Sequence, residues 1–550
     1  MIIGIDVGGT HTDGVLLSGN KTEKSIKIPT KKDNLYESVI EALDSLIEKT
    51  DPSKIKRTVL STTLTTNTVV QNKTSPVAVI ISAGPGIDPG YYKIGEFYSI
   101  VKGALDHRGR ELIPIDEKEL AKTAEEIKKL GIENVAVISK FSPRNPTHEN
   151  QKEKIFSKTF KNIFKGHNVS GHLNFPGRIN TTWLNAAVRD SYEDFFDSVN
   201  KSFIERGIKS PVHILKADGG TMPLGESVNF PAQTIFSGPA ASVLGAMPGS
   251  KKDIDSIVLD IGGTTTDIAI LANGDPVIAQ SGIRIQNLKT LIRAIETKSI
   301  GAGGDSWVRV EDSKLLVGPE RKGPAMAFGG DLPTPTDAFV FLGEIKEGDF
   351  EKASKGINSI ATTLGISPED AAEKIADKAA QNIVDAFTEK IFDLNNKPVY
   401  TLHEFLDGYV LNPKEILVLG APASVFAKRL EKLSNIKTST VKDFSIANAI
   451  GAAMAKPTCT VTLFADTAQR KAYAVSENYE ESISQNYSRE DAFAKAKSLL
   501  YAKAEKMGAD MNNLEIDTIE DLSFNMMRGY RSSGKNIRIT LQIRPGLVAV

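Results

Sequence analysis

Ile3-Gly4-Ile5-Asp6-Val7-Gly8-Gly9-Thr10-His11-Thr12-Asp13 opens the chain, and Val258-Leu259-Asp260-Ile261-Gly262-Gly263-Thr264-Thr265-Thr266-Asp267 repeats its pattern near the middle. Asp6 aligns with Asp260, Gly8 and Gly9 with Gly262 and Gly263, Thr10 with Thr264, Thr12 with Thr266 and Asp13 with Asp267, without a gap. Each copy lies between two apolar runs and therefore reads as strand, tight glycine turn, strand. Glycines in the turn let backbone N–H groups approach an anion closely, and the threonine hydroxyl adds a donor. A carboxylate at the strand end repels phosphate but holds Mg²⁺ well through water. Ordinary hairpins with Asx-stabilised turns would explain one copy, but not the matched spacing of two. Two such turns facing each other would grip one nucleoside triphosphate from both sides.

A chain of 550 residues implies two to four domains. Its 40% hydrophobic and 25% charged content is that of a soluble globular protein. Lys and Arg number 67 against 68 Asp and Glu, so there is no basic excess to suggest a nucleic-acid partner. The single cysteine, Cys459, excludes a disulfide framework and a cysteine zinc site, and fits a reducing, cytoplasmic location. The first strand starts at Ile2, which leaves no room for a signal peptide. No apolar run nears the ~20 residues needed to cross a bilayer, so no membrane partner is expected.

Strands and helices alternate through the first third. Helical spacing covers Asn34–Lys49 and Asp116–Leu130, while Thr58-Val59-Leu60, Val77–Ser82 and Asn134–Ser139 read as buried strands. Farther on, Thr181–Phe203 reads as helical, with a strand at Val212–Leu215 and a small-residue helix from Ser237 to about Met247. Ser367-Pro368-Glu369-Asp370 is a helix start. Glu415–Leu419 is a strand, and Ser445–Ala455 a second small-residue helix stopped by Pro457. After Pro457 a polar helix spans Ser488–Met507, and the alternation of Ile537, Ile539, Leu541 and Ile543 with Arg538, Thr540 and Gln542 predicts a strand with one wet face. The expected organisation is α/β, with domains at 1–175 and 176–456 and a small α+β module at 457–550.

A third element completes a nucleotide site. The strand ending at Leu419 runs into Gly420-Ala421-Pro422, a small-residue turn that admits adenine or ribose against the backbone. By motif position Asp6 and Asp260 organise Mg²⁺ and the γ-phosphate, while Gly8, Gly9, Thr10, Gly262, Gly263 and Thr264 cradle phosphates. Phosphoryl transfer needs mostly positioning and charge neutralisation, so these residues amount to most of a catalyst. Thr12, Asp13, Thr266 and Asp267 either join the site or stabilise the hairpins. Gly301, Gly303 and Gly304 either line the ligand or form a connector. Asn67 either reaches substrate or makes an Asx turn. His148 and Glu149, being adjacent, cannot share a chelate easily and fit a helix entry better; the remaining histidines are taken as structural.

The paired turns and third element together resemble the actin-like ATPase superfamily, which implies two actin-like (ribonuclease H-like) domains with a nucleotide cleft between them, binding ATP and Mg²⁺. Within it, the chain resembles the hydantoinase A/oxoprolinase family, whose members include N-methylhydantoinase A, 5-oxoprolinase and acetone carboxylase subunits. The resemblance rests on collinear motifs: Gly8–Asp13, Ser61–Asn67, Asp106–Leu112, Asn145–Glu149, Arg178 with Thr181-Thr182 and Asn185-Ala186, Asp218-Gly219-Gly220, Ser237–Ala241, Ser299–Gly304, Gly318-Pro319-Glu320, Pro333–Ala338 and Leu342-Gly343. It implies an ATP-dependent hydrolase subunit that phosphorylates and so activates a cyclic amide (hydantoin, oxoproline or another lactam) for ring opening, with a second, hydantoinase B-type subunit and an oligomeric assembly. A free-standing small-molecule kinase, a ketone-activating carboxylase subunit and a nucleotide-gated reactivase are the alternatives. Two departures stand out. Asp305 occupies a place where the family pattern has a small residue, and the segment after Pro457 does not read like the family's usual C-terminal domain.

Overall fold

Both repeated hairpins seed sheets of one topology. In the computed structural model, which describes residues 1–19, 21–279, 281–396, 408–528 and 530–548, strand Ile2–Val7 pairs antiparallel with His11–Ser18, which pairs with Lys21–Pro29. On its other side Ile2–Val7 runs parallel to Arg57–Thr62, and that strand parallel to Val212–Leu215. The second sheet repeats this. Ser256–Ile261 pairs antiparallel with Thr266–Ala272, flanked by Thr297–Ile300, and parallel with Glu415–Leu419, which runs parallel to Lys437–Thr440. The registers match too: Asp6 lies opposite Asp13, and Asp260 opposite Asp267. The expected α/β fold with two ribonuclease H-like halves is thus present in the strand order itself.

Strand periodicity decides what each face does. Ile3, Ile5 and Val7 point outward to a core closed by helices Leu35–Ile47 and Arg189–Glu205. Ile257, Leu259 and Ile261 point outward to a second core under helices Phe350–Leu364 and Pro368–Asn395. Alternation sends Gly4, Asp6, Val258 and Asp260 to the inner faces. Two small-residue helices, Ser237–Ala246 and Ala447–Met454, fill the space between the sheets. Their backbones nearly touch. A Cβ on Gly451 would lie 2.2 Å from the Ala241 carbonyl oxygen, one on Gly245 2.2 Å from that of Ala447, and one on Gly4 2.2 Å from that of Ala449.

Three features differ from the sequence reading. The helical stretch read over Thr181–Phe203 is two helices, Phe175–Ala187 and Arg189–Glu205, divided at Val188, where ψ rises to 0° and the Ala187 carbonyl accepts the Ser75 N–H. The first sheet takes Val212–Leu215 and Thr221–Pro223, so it crosses the expected division at 175/176. The C-terminal strand is Arg531–Ile543, and over Ile537–Ile543 its second face is covered rather than wet: Thr540 and Gln542 are 2% exposed and Arg538 stacks on Phe464. That second face is covered because the five-stranded C-terminal sheet, with helix Arg489–Lys506 on its other side, lies against the N-terminal half. There Arg108 grips Asp466 at 2.9 Å, and Arg144 stacks on Phe464 at 4.6 Å. Among the described residues no helix is long and apolar enough to cross a membrane.

The glycine contact sets a stability prediction. Gly451→Val forces the two inner helices apart at a backbone–backbone contact and costs about 2–3 kcal/mol, read as a lowered thermal midpoint. Gly238→Ala, on the same helix pair but with open space around the added methyl, leaves the midpoint in place or raises it.

Candidate functional site

The two glycine turns close in the same way. Gly8 N–H donates to the His11 carbonyl at 3.0 Å, and Gly262 N–H to that of Thr265 at 2.9 Å. Among the described residues no protein acceptor takes the N–H groups of Gly9 and Thr10, or of Gly263 and Thr264. Each turn therefore offers two free donors, the arrangement that binds anions. The Thr12 hydroxyl is bonded to Thr30 Oγ1 at 2.9 Å, and Thr266 Oγ1 donates to the Ala302 carbonyl at 2.5 Å. Both hydroxyls thus hold the hairpins.

Inner-face geometry brings four carboxylates together. Asp6 is 4% exposed, and its Oδ1 has no hydrogen-bond partner. Burial pushes its carboxyl up to about 7, against the opposing influence of Ser61, and the charges of Asp13 and Asp260 push the same way. Asp260 is raised by burial although it accepts the Ser242 hydroxyl at 2.5 Å and the Asn448 amide at 3.4 Å. Burial and the Asp260 charge raise Asp267 to about 6. Asp13 is raised by burial, offset by Lys27, whose ammonium lies 2.7 Å away. Asp260 acts on the other three, so the aspartates of both halves share one field. No three metal-type side chains among the described residues converge closely enough to ligate an ion directly. An orphaned buried carboxylate oxygen among four acids nevertheless suits a hydrated Mg²⁺, with Asp6 and Asp260 as the residues that would hold it through water.

The remaining candidates separate. Gly303 N–H donates to Ser306 Oγ at 2.8 Å, and Gly304 N–H to the Gly262 carbonyl at 3.0 Å, so these amides brace the second turn from behind. A Cβ on Gly301 would meet Pro319. Gly420 has φ +95°, and a Cβ there would lie 2.1 Å from the Ile261 carbonyl oxygen; this places the exposed Ala421 beside the second turn. Asn67 sits on the short helix Leu64–Val70 rather than in a turn, its amide 3.3 Å from Thr63 Oγ1. His148 and Glu149 enter helix Thr147–Phe156 and face different partners, Glu111 and His167.

Sequence reasoning missed three contributors. Asn448 touches Asp260 and offsets the burial of both Asp6 and Asp260; the signal was one amide in a run of small residues. Ser242 is the other, on the facing helix. Arg321 reaches the second turn, bonding Thr264 Oγ1 at 3.2 Å and Asp305 at 2.8 Å. That pairing accounts for the acid at 305, and no spacing in the sequence announces it.

Residues 2–160 match the family model described as Hydantoinase/oxoprolinase N-terminal region, and residues 178–461 the model described as Hydantoinase/oxoprolinase. The caprolactamase subunit alpha of Pseudomonas jessenii is 25% identical over 67% of this chain and 60% of its own. The acetophenone carboxylase gamma subunit of Aromatoleum aromaticum is 25% identical over 71% of this chain and 61% of its own. The chain thus spans about three-fifths of these relatives. The structure of ATP-dependent caprolactamase from Pseudomonas jessenii superposes with TM-score 0.74 at 18% identity, over 98% of this chain and 87% of that one. Nucleotide-free acetone carboxylase gives 0.69 at 17%, over 100% and 88%. Both likenesses of fold run through the C-terminal module, whereas the family models end at residue 461.

Protonation of Asp6 carries a pH signature. Its folded-state value lies above the ordinary one, so its contribution to stability is full below about pH 4 and is lost as pH rises through about 7. Asp6→Asn removes that loss. Without Mg²⁺ or nucleotide, the thermal midpoint of the variant exceeds the wild type's at about pH 8, and the gap closes toward about pH 5. A gap independent of pH would refute the assignment.

Proposed function

Because this chain belongs to the hydantoinase/oxoprolinase family, we propose that it is the ATP-dependent activating subunit of an enzyme acting on a carbonyl compound. It phosphorylates the oxygen of a cyclic amide and so prepares the ring for opening by a second, hydantoinase B-type subunit. The observation that carries this reading is the matched pair of turns, each with two free N–H donors, flanking four aspartates in one field. The relatives are themselves designated subunits, which supports a partner.

The chemistry follows from the carbonyl. A lactam carbon is a poor electrophile because its nitrogen donates into it. When the carbonyl oxygen forms a bond to the γ-phosphorus, the bond from phosphorus to ADP breaks and the oxygen becomes a leaving group. Water then adds at carbon, the C–N bond breaks as the ring nitrogen takes a proton and leaves as the amine, and a second water cleaves the resulting acyl phosphate to carboxylate and phosphate. The turn amides of Gly9, Thr10, Gly263 and Thr264 bind and orient the phosphates. Mg²⁺, when bound, neutralises phosphate charge. Asp6 and Asp260 would hold it through water, Asn448 and Ser242 fix Asp260, and Arg321, paired with Asp305, braces Thr264 of the second turn. The acetophenone and acetone carboxylase likenesses favour a ketone as a second substrate class, since the same transfer to an enol oxygen activates a ketone.

ATP turnover in the presence of Mg²⁺, screened over lactams, hydantoins and small ketones, tests the reading. Asp260→Asn lowers it by about 100-fold or more without lowering the thermal midpoint, because the amide preserves the shape of a group whose charge burial disfavours. Near-normal turnover would sink the assignment.

A further inference from the structure

A cavity of about 190 Å³ lies between the N-terminal half and the C-terminal module, and none of the roles above uses it. An apolar cavity of about 150 Å³ holds one benzene ring, so this space takes a molecule of about that size and is too small for a nucleotide. It gathers motif residues that the glycine turns leave aside: Thr181 and Asn185 from helix Phe175–Ala187, and Asp218 after strand Val212–Leu215. The position is informative. Ile214 pairs with Leu60, and Leu60 with Ile5. Lys216 therefore emerges from the same carboxyl edge of the sheet as Asp6, two strand spacings or about 10 Å away. Ligands of open α/β sheets bind outside that edge.

The charges are unequal. Lys216, 6% exposed, is satisfied by Asp218 at 3.2 Å and the Thr458 carbonyl at 3.1 Å. Arg293 is not. Its Nη1 donates to Thr460 Oγ1 at 3.2 Å, its buried Nε has no partner, and among the described residues no carboxylate lies within ion-pair distance of it. Burial destabilises its charge more than Asp218 and Asp517 offset. Leu291, Ile292 and Met222 supply apolar wall beside it.

We infer that this cavity binds a small organic carboxylate, with the anion on Arg293 and the carbon body against Leu291 and Met222, and that this is the compound whose carbonyl is activated. The second half of that statement rests on the function proposed above; the first does not. Calorimetric titration of the nucleotide-free protein separates them, with oxoproline and pyrrolidinone as probes, the same ring with and without a carboxylate. Oxoproline binds about tenfold or more tightly than pyrrolidinone, and Arg293→Gln abolishes the preference. Equal affinity, no binding of either probe, or a preference undiminished in a folded Arg293→Gln overturns the cavity assignment. A variant-free check is competition: glutarate displaces oxoproline and glutaramide does not, and the reverse order overturns the assignment. Oxoproline binding that leaves ATP turnover unstimulated overturns the activation half alone. ATP turnover stimulated by oxoproline equally in wild type and Arg293→Gln overturns the cavity and leaves the phosphate site standing.

Discussion

Backbone contact between the helices Ser237–Ala246 and Ala447–Met454 is the constraint on which the site depends. Glycines 245 and 451 remove the side chains that would hold the helices apart, and Gly4 does the same where Ala447–Met454 meets the first sheet. The sheets are thereby drawn close enough for Asp260 to act on Asp6 and Asp13 across the boundary between halves. The same helices carry Ser242 and Asn448, which both donate to Oδ2 of the Asp260 carboxylate. Packing and polar chemistry therefore come from one short run of residues on each helix.

The acidic group is unfavourable in isolation. Burying carboxylates beside one another raises the energy of each charged form, and here the compensation is partial. Lys27 pairs with Asp13 and its charge also eases Asp260, but Asp6 keeps an oxygen with no partner. Such a site gains most from a ligand that brings positive charge. A fold stabilised for its own sake would have placed a second cation where Asn448 stands. The second turn differs from the first in having Arg321 tied to Asp305 above it, so the two halves match in backbone more closely than in charge.

Much of this was legible in the sequence because the hairpins are local. Asp6 and Asp13 are joined by a turn of fixed length, so spacing alone puts them opposite each other, and strand alternation alone puts both on one face. Elements closed by local signals also came out well: Ser367-Pro368 begins Pro368–Asn395, and Ser488 with Asp491 forms the capping box of Arg489–Lys506. What escaped was non-local. Arg321 reaches Thr264 across more than fifty residues, and Asn448 reaches Asp260 across nearly two hundred. Thr540 and Gln542 looked solvent-facing because alternation reports that a strand has two faces, not what covers the second. The break at Val188 lay inside a segment whose helical period carries through both of its halves.

The path of the chain has a further consequence. The first sheet is complete by Pro223, the second is built between Ser256 and Thr440, and the chain then returns through Ala447–Met454 to pack on the first. The second half is thus an insertion whose two ends, at Ala246 and Ala447, lie side by side where the glycines bring the helices together. Adjacent ends are the arrangement in which an inserted unit folds as a body of its own. The duplicated hairpins accordingly sit on one body that is interrupted and another that is continuous, although their strands are laid out alike.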